Sequence, residues 1–131
     1  MNTIAEAMPF ARMMGVAILD ATRERVVGEL VVREDLCTTG KILHGGAAMA
    51  FADTLGGVGA YLALPEGAKA TTTIESKTNF LSAAPLGVTI RGECTPVHIG
   101  RSTSVWQTKI TTAEGRPVAI VTQTQMTLMP R

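Results

Sequence analysis

One apolar run, residues 42–65, contains a single formally charged side chain, that of Asp53. Its Ala, Gly, Leu, Val and Met residues predict one long helix that begins near Gly45 and ends at about Leu64, where Pro65 stops it. A helix that is apolar nearly all round has to be covered by protein on more than one side. Removing an ionised carboxylate from water is costly, so Asp53 needs either a compensating partner or a chemical role.

A transmembrane helix is the alternative interpretation of this run, because about 20 apolar residues span a bilayer. Asp53 lies near the centre of the run, however, Gly56, Gly57 and Gly59 follow it, and neither end carries a cluster of basic residues. These features favour a helix enclosed by protein, whose small residues pack closely against a sheet. We therefore expect no association with a membrane.

The charge, the aromatic content and the cysteines of the whole chain argue against a nucleic-acid-binding protein, a metalloprotein and a secreted protein. The net charge is +1, the basic residues are dispersed, and the aromatic fraction is 4%, so no groove for nucleic acid is predicted. Cys37 and Cys94 form no Cys-x-x-Cys pair, and no His or Cys cluster has metal-ligand spacing, which predicts reduced thiols, no metal and no cofactor. The first six residues lack the basic and apolar regions of a secretory signal, which predicts a cytoplasmic protein.

Outside the long run, most of the chain alternates between apolar and polar residues with the period of two that is typical of strands. Strands are predicted at residues 15–21, 26–33, 69–81, 86–97, 102–112 and 118–129. Short turns join the last three strands, which predicts an antiparallel meander. A helical lead-in broken around Pro9 and a loop at residues 34–43 complete the pattern. With 131 residues and no linker-like segment, we expect one α+β domain over residues 1–131, with one long helix lying on a curved antiparallel sheet.

Three motifs then resemble a known family. They are His44-Gly45-Gly46 at the start of the helix, Asp53 nine positions after the His, and Asn79-Phe80-Leu81 near the end of the next strand. In these motifs the chain resembles the hotdog-fold acyl-CoA thioesterases, specifically the branch that includes the 4-hydroxybenzoyl-CoA and phenylacetyl-CoA thioesterases. The resemblance covers nearly the whole chain.

The resemblance implies a hotdog fold, in which an antiparallel sheet wraps a central helix and two protomers pair their sheets side by side. It implies active sites at the dimer interface, where the helix-opening glycine contacts the oxyanion and the acidic residue is catalytic. Carried over by position, these residues are Gly46 and Asp53. We expect a homodimer that forms the active site and a dimer of dimers, that is, a homotetramer.

The chain departs from some members of the family at two positions. Thr38 stands where those members have a Gln or Asn that helps to orient water, and Gly57 stands where they have a Ser or Thr. The group that positions water is therefore open, with Thr54, Thr71 and Thr72 as candidates.

The predicted chemistry is hydrolysis of a small or medium acyl-CoA thioester, with aromatic acyl groups among the candidates, to the free acid and coenzyme A. Asp53 acts either as a general base or as a nucleophile, and the Gly46 N–H stabilises the oxyanion. Because seven residues of helix separate Gly46 from Asp53 by about 10 Å, one carbonyl cannot easily contact both in the same protomer. A site shared across a two-fold axis solves this, and it predicts an inactive monomer. The structural alternatives are a capped carboxylate at Asp53 and a glycine pair that only starts the helix.

Several other residues are candidates for substrate binding. His44 and Gly45 adjoin the predicted oxyanion donor, although a His before a helix is as often structural. Phe80 lines the acyl pocket or belongs to the core, and Arg101 meets the phosphates of coenzyme A or is a solvated turn charge. Thr54 and Thr71 complete the predicted site.

Two other functions use the same fold. A non-catalytic acyl-CoA-binding protein is the main alternative, and the presence of Asp53 argues against it. A dehydratase or hydratase would need a catalytic His paired with an Asp in a local pattern that this chain does not show.

Overall fold

The computed structural model describes residues 2–131. Its helices are α1 (Asn2–Glu6), α2 (Pro9–Met14) and α3 (Gly45–Leu62), with a 3-10 turn at Glu34–Leu36. Its strands are β1 (Ala17–Thr22), β2 (Arg25–Val31), β3 (Cys37–Thr38), β4 (Ile42–Leu43), β5 (Ala70–Phe80), β6 (Thr89–Ile99), β7 (Thr103–Thr112) and β8 (Pro117–Leu128).

Six of the strands form one antiparallel sheet in the order β1-β2-β6-β7-β8-β5. Helix α3 packs against it and buries one face, with Phe51, Ala52 and Leu55 fully covered. The core lies between this face and the inward side chains of the sheet, among which Trp106 is the largest. The predicted α+β architecture, with one long helix on an antiparallel sheet, is confirmed.

The predicted elements match the structure with small shifts of their ends. The meander β6-β7-β8 is present as predicted, and α3 starts at Gly45 but ends at Leu62 rather than near residue 64. The predicted loop at residues 34–43 is more ordered than expected, because β3 and β4 pair as a small hairpin within it. Gly40 and Lys41 form its turn with φ values of 82° and 57°. Pro9 begins the second of two short helices, as the predicted break in the lead-in requires.

The contact between α3 and the sheet alternates glycines with large side chains. Gly28 and Gly92 pair across β2 and β6, and the Phe51 and Leu55 side chains of the helix rest on them. Further along α3 the roles reverse, since a Cβ at Gly59 would lie 2.7 Å from the Trp106 ring. Each close approach exists because one partner has no side chain.

Substituting alanine for two adjacent glycines of α3 is expected to change the stability of the protein in opposite directions. A Cβ at Gly56 would overlap the carboxamide of Gln123, whereas a Cβ at Gly57 has no atom within 4 Å. We expect Gly56→Ala to lower the free energy of unfolding by about 1–3 kcal/mol, as overpacking does. Gly57→Ala should raise it by about 0.5–1 kcal/mol, because glycine is a poor helix former. Urea unfolding at one fixed protein concentration measures both, and equal effects would contradict this packing.

In the part of the chain that the structure describes, no helix has the length and apolar character needed to cross a membrane. The run that raised this alternative instead supplies the face of α3 that packs on the sheet.

Candidate functional site

The start of α3 is held by hydrogen bonds from the segments around it. The Leu43 N–H donates to the Ala84 carbonyl, and the His44 N–H donates to the Leu36 carbonyl, each at 2.8 Å. His44 is the N-cap, and its ring nitrogen Nδ1 accepts a hydrogen bond of 2.8 Å from the Gly46 N–H. The backbone before the helix and the first helical turn are thereby fixed relative to each other.

This cap decides which donors the helix start offers. The predicted oxyanion donor, the Gly46 N–H, is bonded to His44, whereas the Gly45 N–H has no hydrogen-bond partner among the described residues. Because Nδ1 of His44 accepts, the proton of the neutral imidazole is on Nε2. The His44 side chain is exposed, so Nε2–H is a further donor at this end of the helix.

Asp53 lies about two turns further along α3, and its surroundings differ from the expected ones. The sequence suggested a carboxylate sheltered from water, but in the protomer Asp53 is exposed. The sheet covers the opposite face of α3, and the Asp53 face opens into a cavity of about 350 Å³. Among the described residues Asp53 forms no ion pair, and Thr73 Oγ1 donates to its Oδ1 at 2.7 Å.

Thr73 was not among the threonines predicted for the site. The predicted alternation along β5 is broken by a bulge between Thr73 and Glu75, after which the helix-facing positions change. Thr71 and Thr73 are half-buried on the helix side, while Thr72 and Ile74 are exposed. Nothing in the local sequence marks the bulge, so the alternation alone could not select Thr73.

Behind Thr73 lie two buried glutamines of β8, each 1% exposed. The Gln125 Nε2 donates to Thr73 Oγ1 and to Gln123 Oε1, and the Gln123 Nε2 donates to the Ala52 carbonyl at 3.0 Å. The sequence did contain a signal for them, because Gln123 and Gln125 alternate with the period of the buried Val121. Two amides on the inward face of a strand indicate a buried polar network.

The three predicted threonines, Thr54, Thr71 and Thr72, all line the Asp53 cavity. Thr54 and Thr71 are half-buried there, and Thr72 is exposed. The Thr54 hydroxyl donates to the Ala50 carbonyl at 2.9 Å, and the Thr71 hydroxyl donates to Gln125 Oε1 at 2.9 Å. Each hydroxyl proton is therefore used within the protein, and each oxygen keeps a lone pair for a water molecule.

The remaining predicted residues lie in separate cavities of the protomer. His44 and Gly46 line one of about 340 Å³, and Gly45 and Phe80 line one of about 430 Å³. Phe10 lines both the cavity of His44 and that of Asp53, so the two cavities adjoin at its side chain. A single protomer does not bring these two groups into one cavity.

Arg101 lies at the far end of the helix from His44. It lines a cavity of about 180 Å³ with Pro65 and Glu66, which follow the C-terminal end of α3. Within the protomer Arg101 does not share a cavity with the other predicted residues.

An apolar groove extends from the Asp53 cavity. It has a volume of about 510 Å³ and lies between α1, the second half of α3 and the start of β5, with Val58, Tyr61 and Leu62 among its lining residues. Met8, Gly57 and Thr71 line both spaces, so the groove adjoins the Asp53 cavity. Gly57 has no side chain and therefore adds no bulk where the two spaces meet.

The two cysteines and the potential metal ligands are the other groups that could carry chemistry. Burial raises the pKa of the Cys94 thiol to about 11, with the nearby Thr108 hydroxyl opposing the shift, so Cys94 is a poor nucleophile near neutral pH. The Cys37 thiol donates to the Arg33 carbonyl at 3.3 Å. Within residues 2–131 no three His, Cys, Asp or Glu side chains are grouped so that they could hold a metal ion.

Comparison with known proteins gives consistent matches. The family model described as "Thioesterase superfamily" matches residues 40–119. The chain is 30% identical over 99 residues to 1,4-dihydroxy-2-naphthoyl-CoA thioesterase 2 of Arabidopsis thaliana, which covers 76% of this chain and 62% of that protein. It is 37% identical over 75 residues to 1,4-dihydroxy-2-naphthoyl-CoA hydrolase of Escherichia coli K12, covering 57% of this chain and 54% of that one. The matches thus span less than two thirds of either relative.

A solved structure from Streptococcus pneumoniae TIGR4, described as a hypothetical thioesterase protein with coenzyme A, superposes with a TM-score of 0.80. It is 26% identical and the match covers 89% of this chain and 88% of that one. The likeness therefore extends over most of both chains.

Proposed function

The chain belongs to the thioesterase superfamily and has the hotdog fold, and from this premise we propose that it hydrolyses acyl-CoA thioesters to the free acid and coenzyme A. We propose further that residues 1–131 act as one hotdog domain. The observation that carries the proposal is Asp53, an acid on the central helix that forms no ion pair among the described residues and opens into a cavity.

Asp53 has the properties that attack on a thioester requires. Thr73 donates to one carboxylate oxygen, which orients the group and leaves the second oxygen free to act. That oxygen can take a proton from water as a general base or attack the acyl carbon as a nucleophile. In either case a tetrahedral intermediate with a negatively charged oxygen forms, and it needs hydrogen-bond donors.

The helix start supplies those donors. The resemblance implies Gly46, whose N–H would have to exchange its bond to His44 Nδ1 for one to the substrate, while the Gly45 N–H has no partner among the described residues. Both groups lie in the first turn, where the helix dipole favours negative charge. Neither glycine has a side chain that would keep a carbonyl from the backbone.

The groove beside Asp53 suits the acyl half of the substrate. With about 510 Å³ and mainly apolar walls, it has room for a medium chain or an aromatic ring. The relatives named after naphthoyl-CoA substrates are consistent with an aromatic acyl group. The bound coenzyme A of the streptococcal protein supports coenzyme A as the thiol half, and exposed Arg101 is our candidate for its phosphates.

We infer that a dimer completes the site. The edge strand β5 has neighbours on one side only, and a strand of this length with an open edge is suited to pair with a second copy of itself. Since Gly46 and Asp53 line different cavities of a protomer, a second copy can bring its helix start to Asp53. Exposed apolar side chains such as Leu19, Val31 and Val97 suit further pairing into a homotetramer.

A mixing experiment tests the shared site. The experiment uses two variants. One carries Asp53→Ala, and the other carries proline at position 45 or 46, at whichever of these positions proline lowers activity more. Equal amounts of the two proteins are unfolded together and refolded. Random pairing makes half of the dimers mixed. If the site is shared, one site of a mixed dimer combines the unaltered Asp53 with the unaltered helix start, and the other site carries both changes. Activity should therefore return to about a quarter of the wild-type value. Each protein refolded alone is the control. Recovery no greater than the sum of the controls would mean that the site lies within one protomer.

The function itself is tested with a panel of acyl-CoA thioesters. Straight chains of increasing length and benzoyl and phenylacetyl thioesters are assayed by release of coenzyme A with a thiol reagent, with an enzyme-only blank to subtract Cys37. We expect turnover of at least one member, with medium or aromatic groups preferred. Measurable binding by calorimetry without turnover of any member would favour the non-catalytic alternative.

A further inference from the structure

Gln125 is a buried glutamine whose carboxamide is engaged on both sides. Its Oε1 accepts from the Thr71 hydroxyl at 2.9 Å, and its Nε2 donates to Thr73 Oγ1 and to Gln123 Oε1. The side chain is 1% exposed. Burying a carboxamide is unfavourable unless its hydrogen bonds are made, and here the bonds also fix which end is oxygen and which is nitrogen.

The direction of these bonds determines where the proton of Thr73 points. An amide nitrogen only donates, so the Thr73 oxygen has to accept from Gln125. The hydroxyl has one proton, and the bond to Gln125 leaves that proton for Asp53 Oδ1, 2.7 Å away. An ionised carboxylate only accepts, so the chain of donors ends on the group that the proposed reaction uses.

The network also returns to the helix that carries Asp53. Gln123 accepts from Gln125 and donates to the carbonyl of Ala52, the residue immediately before Asp53. The space that Gln123 occupies exists because position 56 is a glycine. Both the backbone and the side chain at the predicted acid are therefore bonded to the same pair of glutamines.

We propose that Gln125 is a positioning residue that acts through Thr73 to hold the Asp53 carboxylate in its reactive orientation. The proposal rests on the proposed thioester hydrolysis. A glutamine that served only the stability of the sheet would not need its donor side directed at Thr73. The bulge in β5 is part of the same arrangement. It lies directly after Thr73, so the alternation that turns Thr73 toward the helix does not continue into the rest of the strand.

The test compares Gln125→Met, Thr73→Val and their double variant with the best substrate of the panel. We expect each single change to lower kcat by about tenfold, with KM within about twofold, since neither side chain lines the groove proposed for the acyl group. The double variant should lose no more than Thr73→Val alone, because Gln125 acts only through Thr73. Thr73→Ser keeps the hydroxyl and should retain near wild-type kcat.

Gln107→Met is the matched control. Gln107 is a half-buried glutamine on the neighbouring strand β7, and its carboxamide makes one long bond of 3.5 Å to Thr122. This variant should keep its kcat. Losses that multiply in the double variant, or an unchanged kcat in Gln125→Met, would overturn the proposal. Where Gln125→Met does not fold, the comparison of Thr73→Val with Thr73→Ser and the spectra described below carry the test, and equal kcat values in the two Thr73 variants would overturn the proposal.

A second readout does not depend on activity. In protein labelled with ¹⁵N at glutamine side chains, the Gln125 carboxamide signal should shift on Thr73→Val and on Asp53→Asn, and should stay in place on Glu114→Gln. An unmoved signal in both of the first two variants would refute the coupling. If the wild-type protein hydrolysed no thioester, the proposed function would fail, and these spectra would still decide whether Gln125, Thr73 and Asp53 are coupled.

Discussion

Asp53→Asn is expected to lower kcat/KM by about 10²–10⁴, the contribution that a positioned general base makes. Asparagine has nearly the same shape, and its oxygen can still accept from Thr73 at the present distance of 2.7 Å. What it loses is the ability to take a proton or to attack the acyl carbon. The free energy of unfolding should change little, because the side chain is exposed and forms no ion pair among the described residues.

The control for this variant is Glu114→Gln, which removes a carboxylate from the exposed turn between β7 and β8. Steady-state kinetics and urea unfolding of both proteins separate chemistry from folding. A rate for Asp53→Asn near that of the control would dispose of the assignment. In the wild-type protein, a single turnover in H₂¹⁸O that leaves ¹⁸O in the Asp53 carboxylate would identify an anhydride intermediate, and hence a nucleophile.

Replacing a helix-opening glycine with proline is expected to lower kcat by about 10²–10³, which is the usual loss of one oxyanion donor. Proline removes the N–H but suits the first turn of a helix, and at position 45 the extended backbone of the preceding His44, with ψ of 135°, is compatible with proline. The larger loss falls on Gly46→Pro if the predicted donor is correct. It falls on Gly45→Pro if the unpaired N–H is used instead.

Alanine at the same positions is the control, because it keeps the N–H. A Cβ at Gly45 comes within 3.0 Å of the Phe80 ring and one at Gly46 within 2.9 Å of His44 Nδ1, and both side chains can give way. The ratio of kcat between the proline and the alanine variant at each position therefore isolates the donor. Ratios near one at both positions would mean that neither the Gly45 N–H nor the Gly46 N–H stabilises the oxyanion.

The parts of the fold that the sequence predicted are those with a strong local signal. The period of two located the six long strands, and the apolar run located α3 from its first residue. The pairing of β5 with β8, which places β5 at the edge, depends on contacts far apart in sequence and has no local signal. The hairpin of β3 and β4 was missed because strands of two residues show no alternation.

The site was predictable to the extent that it depends on residue type. An isolated acid in an apolar helix identified Asp53, and the motif at the helix start identified His44, Gly45 and Gly46. The exposure of Asp53 in the protomer was not predicted. A helix that is apolar on all sides does not reveal which of its sides packs on the sheet of the same chain and which side stays open. Thr73 was missed because a bulge, which no residue type announces, turns it toward the helix.

The exchange of small and large residues between α3 and the sheet limits the routes by which this sequence can diverge. A side chain at position 59 is excluded while Trp106 is present, and shortening Trp106 first would leave a void that costs about 3–5 kcal/mol. Either order of substitution passes through a poorly folded intermediate. We therefore expect strong epistasis between these two positions, so that in homologues they covary instead of drifting independently.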